Sequence, residues 1–527
     1  MAFTKSILWV LILFFAGLIS FAQNPALKMI DTSDLKRHLS IISSDSLQGR
    51  AFFGTPLPGL DIAAEYLKAN IKKMGMASGA DDYFQNFSII SSQPDIENTF
   101  LEITDTNGNT IFKTDSIIGL PAGTGINILN AEVIFTGFGW YDDKTGYNDL
   151  NGVDVRGKVV MFAMGTPESF KTKELSRWNN SLEIAKIKKA MEAGAARVII
   201  INNPLDEDNS IYNRMNRWIN RNDFSLETPD NKTDNSSFVF STATMADALL
   251  GGKGKFKKRL AKISEKQQPH SYHIEGLRIN VKTDRITEHV RAKNIIGIVD
   301  GCDKVLKDEC VVFMAHYDHL GIDNSGEVFN GADDNGSGTV TLLEVAEAFM
   351  SLKEKPKRSI VFLWVTAEEV GLLGSKYYVE NPVFQIEKTV ACINIDMAGR
   401  VFEQRDTVWN KSAKLVKDFD GLYTLTNNVW PKLKKINSAA CNALGLIPDY
   451  SLPSNFLYSS DHFSFHNHGV PVINYATGYH ADYHKVTDEI TRINFDKMKR
   501  IADLCFLVGF EIANREKIEF PKNENTN

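Results

Sequence analysis

The sequence predicts an α/β protein: a doubly wound, mostly parallel sheet with a smaller α/β module inserted into it. Three observations lead there. Residues 311–315, 359–366, 389–395 and 471–476 are short runs, apolar on both faces, of the kind found inside parallel sheets. Helical patterns lie between them, for example over 338–350, and such alternation winds helices onto both faces of a sheet. The chain has 527 residues, more than one ordinary domain, and its texture changes near 90 and again near 290.

In chain order, MAFTKSILWVLILFFAGLISFAQ has the layout of a signal peptide: Lys5, an apolar core from Ile7 to Ile19, then small residues ending at Ala22. The core is short for a bilayer span. The expectation is therefore a signal over 1–22, export to a periplasmic or extracellular location, and no stable membrane insertion after cleavage. Residues 23–89 and 286–527 are expected to form one discontinuous domain. In its first part LDIAAEYLKANIKKMG, entered through Pro56, Pro58 and Gly59, carries apolar residues at helical spacing.

Residues 90–285 are the expected insertion. It opens with FLEITDTNGNTIF, where Asn107-Gly108 reads as a hairpin turn. AEVIFTGFGW, GKVVMFAMG, a helix over SLEIAKIKKAMEAG and the strand in ARVIIINNP follow. The basic run KGKFKKRLAKISEK reads as a solvated face. The second α/β segment begins at AKNIIGIVDG, residues 292–301.

Composition narrows the function classes. With 43% hydrophobic and 24% charged residues the chain can bury large cores. Its net charge of −6, without a basic stripe interleaved with aromatics, gives no nucleic-acid signature. Five cysteines, with no C-x-x-C pair, do not make a disulfide scaffold; Cys302 and Cys310 alone are spaced to close a short loop. Oligomeric state has no signature in the sequence.

Chemistry gathers where the apolar runs end. VVFMA runs into His316, Tyr317, Asp318 and His319. GADDNGSG (331–338) opens the next helix. SIVFLWVT ends in Ala367-Glu368-Glu369, TVACINI ends in Asp396, and DYHKVTD places His484 after another buried strand. In open α/β sheets ligands sit beyond the carboxyl ends of the strands. Zn²⁺ takes imidazole and carboxylate ligands, and paired metals share a bridging carboxylate. That needs two nitrogen ligands, two terminal carboxylates and one bridge, which His316, Asp334, Glu369, Asp396 and His484 supply. Adjacent Glu368 and Glu369 point different ways, so one can ligate while the other acts as general base.

Together AHYDHLG, GADDNGSG, TAEEVGLLGSKYYVENP, NIDMAGR and DYHKVTD resemble the co-catalytic dizinc exopeptidases, secreted bacterial aminopeptidases and glutamate carboxypeptidases with a protease-associated insertion. The stretch ending Ala193-Gly194-Ala195 before a Val/Ile strand resembles that insertion. The resemblance implies a zinc exopeptidase fold binding two Zn²⁺ ions and cleaving peptide substrates at a chain end. It implies Asp334 as the bridge, His316 and Asp396 on one ion, Glu369 and His484 on the other. Glu368 is implied as general base, and Asp318 as the carboxylate orienting His316. SSDHFSF resembles a segment lining the site, which makes Asp461 and His462 candidates for positioning substrate. Tyr458 is a candidate donor to the oxyanion, although its offset from Asp461 departs from the family arrangement. His319 is expected to stand behind the ligands, and His466 and His468 to lie on a loop. An aminopeptidase is the expected activity. The alternatives are a glutamate-carboxypeptidase-like enzyme, a glutaminyl cyclase-like transferase and a non-catalytic binding protein.

Overall fold

The computed structural model describes residues 24–52, 58–114, 127–171, 180–206, 222–227, 238–323, 325–408 and 414–518. The expected signal peptide lies outside them. The chain divides into two compact units, one made of the chain up to Ile89 and from Val290 onward, the other of Ile90–His289. Among the described residues no helix is long and apolar enough to cross a membrane.

The first unit opens with helices α1 (Thr32–Ile42) and α2 (Pro58–Lys73). Its sheet includes β1 (Arg285–Val299), β2 (Cys310–His316), β3 (Ser359–Val365), β4 (Thr389–Ile395), β5 (Gly421–Thr426), β6 (Ile447–Asp449) and β7 (Val472–Ala476), which follow one another in the order β1-β3-β2-β4-β7-β5-β6. Pairings β3–β2, β2–β4, β4–β7 and β5–β6 are parallel; β1–β3 and β7–β5 are antiparallel. Between strands lie α3 (Gly338–Met350), α4 (Leu373–Glu380), α5 (Pro431–Leu444) and α6 (His462–Asn467), and α7 (Phe495–Asn514) closes the unit.

Every residue of β2, β3 and β4 is buried, which is why these strands read as continuous apolar runs. On one face Val312, Met314, Val361 and Leu363 pack with Tyr378 and Val379 of α4 and Phe465 of α6. On the other, Phe313 stacks on Phe362 at 5.3 Å, and Phe349 of α3 bridges them to Phe506 of α7. Gly509 lets α7 come this close, since a Cβ there would lie 2.1 Å from the Phe313 ring. Because β3 and β4 flank β2 on opposite sides, the loops leaving their carboxyl ends surround one crevice.

Strands β5 and β6 and helix α7 were not legible in the sequence. The bridge left open for Cys302 and Cys310 does not form: Cys302 is exposed, Cys310 is buried in β2, and both are free thiols.

The second unit carries a seven-stranded sheet in the order Phe238–Ser241, Arg197–Ile201, Val159–Ala163, Asn127–Phe135, Tyr272–Lys282, Phe100–Asp105, Thr110–Thr114. The last two form the expected antiparallel hairpin, with Gly108 at φ +85°. Alternation sorts its residues: Val198 and Ile200 pack with Ile187 and Ala190, whereas Ile199 and Ile201 meet Phe256, Leu260 and Ile263. Those three are the apolar face of helix Lys255–Lys266, whose lysines are exposed, so the basic run is a solvated face.

One buried acid of α3 makes the first unit sensitive to pH. The Glu344 side chain accepts the Asp31 N–H at 3.3 Å and lies 3.8 Å from His38 Nε2. Burial pushes its carboxyl up to about 8 from its ordinary value of 4.5. A raised folded-state value means stability is fully present below about pH 4.5 and is lost as pH rises through about 8. The loss is on the order of 3–5 kcal/mol at full ionisation. Glu344→Gln is expected to flatten the stability–pH curve between about pH 4.5 and 8, measured by urea unfolding.

Candidate metal centre

Each candidate ligand is delivered by the chain leaving a strand or entering a helix. His316 ends β2, and Thr339 of α3 donates to its carbonyl at 2.7 Å. The turn Ala332–Ser337 precedes α3, and Asp334 and Asn335 within it leave helical geometry. Asn335 ties that turn to the end of β4: its amide donates to Ile395 O at 3.0 Å, and its Oδ1 accepts from Met397 N and Gly338 N. Gly331, at φ +52°, is required there, because a Cβ would lie 2.3 Å from Asp334 O and 2.4 Å from the His319 ring. Ala367, Met397 and His484 all hold positive φ, at +57°, +62° and +54°. Non-glycine residues rarely adopt this region and it costs about 1–3 kcal/mol each. The strain sits immediately beside Glu368, beside Asp396, and on His484 itself.

The five predicted ligands converge. His316 Nε2 lies 3.5 Å from Asp334 Oδ1 and 3.5 Å from Asp396 Oδ1. The other oxygen of Asp334, Oδ2, faces His484 Nε2 at 3.1 Å, and that nitrogen lies 3.4 Å from Glu369 Oε2. Asp334 therefore presents one oxygen to each of two neighbouring clusters. Donor atoms of His316, Asp334 and Asp396 lie within 4.8 Å of one another, as do those of His319, Asp334 and Glu369. Asp396 Oδ1 is buried without a hydrogen-bond partner. Such an orphaned carboxylate oxygen facing an imidazole nitrogen across 3.5 Å suits a divalent cation, and the mixed nitrogen and oxygen donors suit zinc.

The supporting residues are also close. Asp318 accepts the amides of Glu368 and Glu369 at 3.2 and 3.3 Å, and its Oδ1 lies 3.8 Å from His316 Nδ1. It thus stands behind His316 and fixes the turn that carries both glutamates. His319 Nδ1 meets Glu369 Oε1 at 2.9 Å. Buried Arg50, which sequence reasoning missed, donates to the carbonyls of Tyr317, Asn330 and Gly331. Its only sequence signal was a cation isolated after the first helix.

The two adjacent glutamates are pushed in opposite directions. Burial and the neighbouring carboxylates raise Glu368 well above the usual range, against the pull of His316. Burial alone would also raise Glu369, but His319 and His484 overcome it and hold Glu369 below the usual range. Divergent environments of this kind separate an acid–base group from a permanently charged one.

A cleft of about 580 Å³ opens onto these residues. The buried or half-buried His316, Asp334, Glu368, Glu369 and Asp396 form its floor, and the more exposed His484 lines its walls with Met397, Tyr423, Leu425, Leu452, Phe456, Tyr479 and Tyr483. The residues proposed from SSDHFSF are not at the surface of the cleft, although Asp461 is near enough for its charge to help raise Glu368. Asp461 and His462 are fully buried and do not line the cleft. Burial raises Asp461 to about 7 and lowers His462 to about 4. Tyr458 is 63% exposed, packed on Phe463 outside the cleft. Tyr483 does line the cleft, stacked on His484 at 3.9 Å; its position directly before His484 was the signal available. His466 and His468 bond to Asn427 and Ser464, at the end of α6.

Residues 294–508 match peptidase family M28. The aminopeptidase YwaD of Bacillus subtilis (strain 168) is 31% identical over 235 residues, 43% of this chain and 46% of that protein. The glutamate carboxypeptidase 2 homolog of Caenorhabditis elegans is 25% identical over 524 residues, 85% of this chain and 62% of that protein. The chain spans about half the length of the first of these relatives. In fold it is similar to the aminopeptidase from Aneurinibacillus sp. strain AM-1, with a TM-score of 0.54, 20% identity, and coverage of 94% of this chain and 98% of that one. The segment matched by that family, residues 294–508, is the one that builds the crevice and carries all five candidate ligands.

Proposed function

We propose that this chain is a two-zinc aminopeptidase that removes residues from the free amino end of peptides. The observation that carries the reading is the shared Asp334, one oxygen toward His316 and Asp396, the other toward His484 and Glu369. His484 rather than His319 is assigned to the second ion, because His484 lines the cleft while His319 is fully buried behind Glu369. Bound zinc would lower the pKa of a shared water and polarise the scissile carbonyl. Glu368, on the cleft floor, takes the proton of the attacking water and returns it to the leaving amine. Asp318 keeps His316 oriented, and His319 does the same for Glu369. Tyr483 supplies a phenol that donates to the developing oxyanion.

Charge favours the amino end over the carboxyl end. Among the described residues, neither lysine nor arginine lines the cleft, so nothing there pairs with a terminal carboxylate. The carboxylate-rich floor suits an α-ammonium instead, and the aromatic and leucine walls suit an apolar first side chain. The signal-like N-terminus supports export, and the Ala193-Gly194-Ala195 stretch supports a protease-associated-like insertion.

Aminoacyl and carboxyl-terminal chromogenic substrates, assayed with bound zinc counted per chain, test the reading. The expected result is two zinc ions, cleavage of leucyl and phenylalanyl substrates, and loss of activity with chelator. One ion would favour the cyclase-like alternative; release from carboxyl ends would overturn the assignment; zinc without turnover would favour a binding protein.

A further inference from the structure

Five buried ionisable side chains beneath the centre take no part in the reaction above. Asp333, Arg400, His480, Asp482 and Asp488 are each at most 2% exposed. Burying an ion costs several kcal/mol unless it is paired and hydrogen-bonded, and here the charges are interlocked. Arg400 Nη2 donates to Asp482 Oδ2 at 2.9 Å, and Nη1 lies 3.8 Å from Asp488 Oδ1. The same Nη1 meets His480 Nδ1 at 2.9 Å. A guanidinium only donates, so Nδ1 accepts and the ring proton sits on Nε2. That Nε2 lies 3.3 Å from Asp333 Oδ2, close enough for electrostatic attraction, although neither atom has a hydrogen-bond partner.

The outer ends of this set grip the backbone of three loops. Asp333 Oδ1 accepts the Gly399 N–H at 2.7 Å, three residues after Asp396. Asp488 Oδ2 accepts the N–H groups of Asp333 and Asp334 at 3.0 Å each. His480, Asp482 and Asp488 belong to the loop that carries His484. One connected network thus joins the loops bearing Asp334, Asp396 and His484, which would contact both ions between them.

We propose that Asp333, His480 and Arg400 form a positioning relay that sets the mutual placement of Asp334, Asp396 and His484, and so the affinity and spacing of the two ions. The proposal rests on the two-metal reading above. His480 is its central link, because it alone accepts from Arg400 while presenting a donor to Asp333.

The test compares His480→Leu, which removes both functions, with His480→Gln, whose amide retains a donor and an acceptor. Full-length protein is stripped of metal, and zinc affinity is measured by competition with a chromophoric chelator. The cobalt(II) absorption spectrum, kcat and KM for a leucyl substrate, and circular dichroism are recorded alongside. His480→Leu is expected to keep its fold, bind metal about 10–100-fold more weakly and show an altered cobalt spectrum. Its kcat falls with KM little changed, and His480→Gln recovers most of the loss. Should His480→Leu not fold, Asp333→Asn carries the same expectations, since it keeps an acceptor for Gly399 but loses the charge facing His480. A folded variant with wild-type affinity and spectrum overturns the relay, as does His480→Gln being as impaired as His480→Leu. Wild-type protein that takes up no metal overturns the two-metal reading and the relay together, which separates that failure from failure of the relay alone.

Discussion

Replacing Glu368 by Gln lowers kcat by about 10²–10⁴-fold, the usual contribution of a positioned general base. The reason is local. Glu368 lies on the cleft floor beside Glu369, but only Glu369 is engaged by His319 and His484. The amide of Gln occupies the same space and cannot accept the water's proton, so packing persists while proton transfer stops. Bound zinc is expected to stay at the wild-type count, because Glu368 supplies no ligand in this assignment. Steady-state kinetics with metal analysis on the same sample check it. Near-wild-type turnover would remove Glu368 as the base, and zinc loss would mean that the two glutamates have exchanged roles.

Asp334→Asn is expected to act differently, by dismantling the centre. Its two oxygens face His316 and His484 separately, and an amide offers one oxygen and one N–H donor in their place. Loss of one shared anionic ligand removes several kcal/mol of favourable interaction with the ions, equivalent to at least about 10²-fold in rate. Zinc content is expected to fall from two ions to one or fewer per chain, with activity falling in parallel. Inductively coupled plasma analysis after gel filtration measures the first and a leucyl substrate the second. Two tightly held ions in this variant would show that Asp334 does not bridge. The contrast between the variants is the sharper test: one keeps metal and loses turnover, the other loses both.

Much of this was legible in the sequence because it rested on short-range rules. The strands β2, β3 and β4 showed themselves as runs apolar on both faces, since helices cover both sides of the sheet. The edge of the sheet was less legible. The pairing of β5 with β7 is antiparallel and depends on a partner more than forty residues away in sequence. Candidate ligands were legible because they lie in the chain leaving buried strands or, for Asp334, in the turn that opens a helix. Asp461 and His462 were harder: the motif places them close to the site, but both are fully buried and neither lines the cleft.

By itself, then, the chain's pattern pointed to the layered α/β class, the crevice at the strand ends and a set of candidate metal-binding residues, because side-chain periodicity reports which faces are buried. Only the tertiary structure decided that Asp334 faces two clusters, that His319 backs Glu369, that Tyr483 rather than Tyr458 lines the cleft, and that Asp333, His480 and Arg400 join three loops. Those facts depend on distances between residues remote in sequence, and on which of several polar groups desolvation leaves without water and therefore in need of one another.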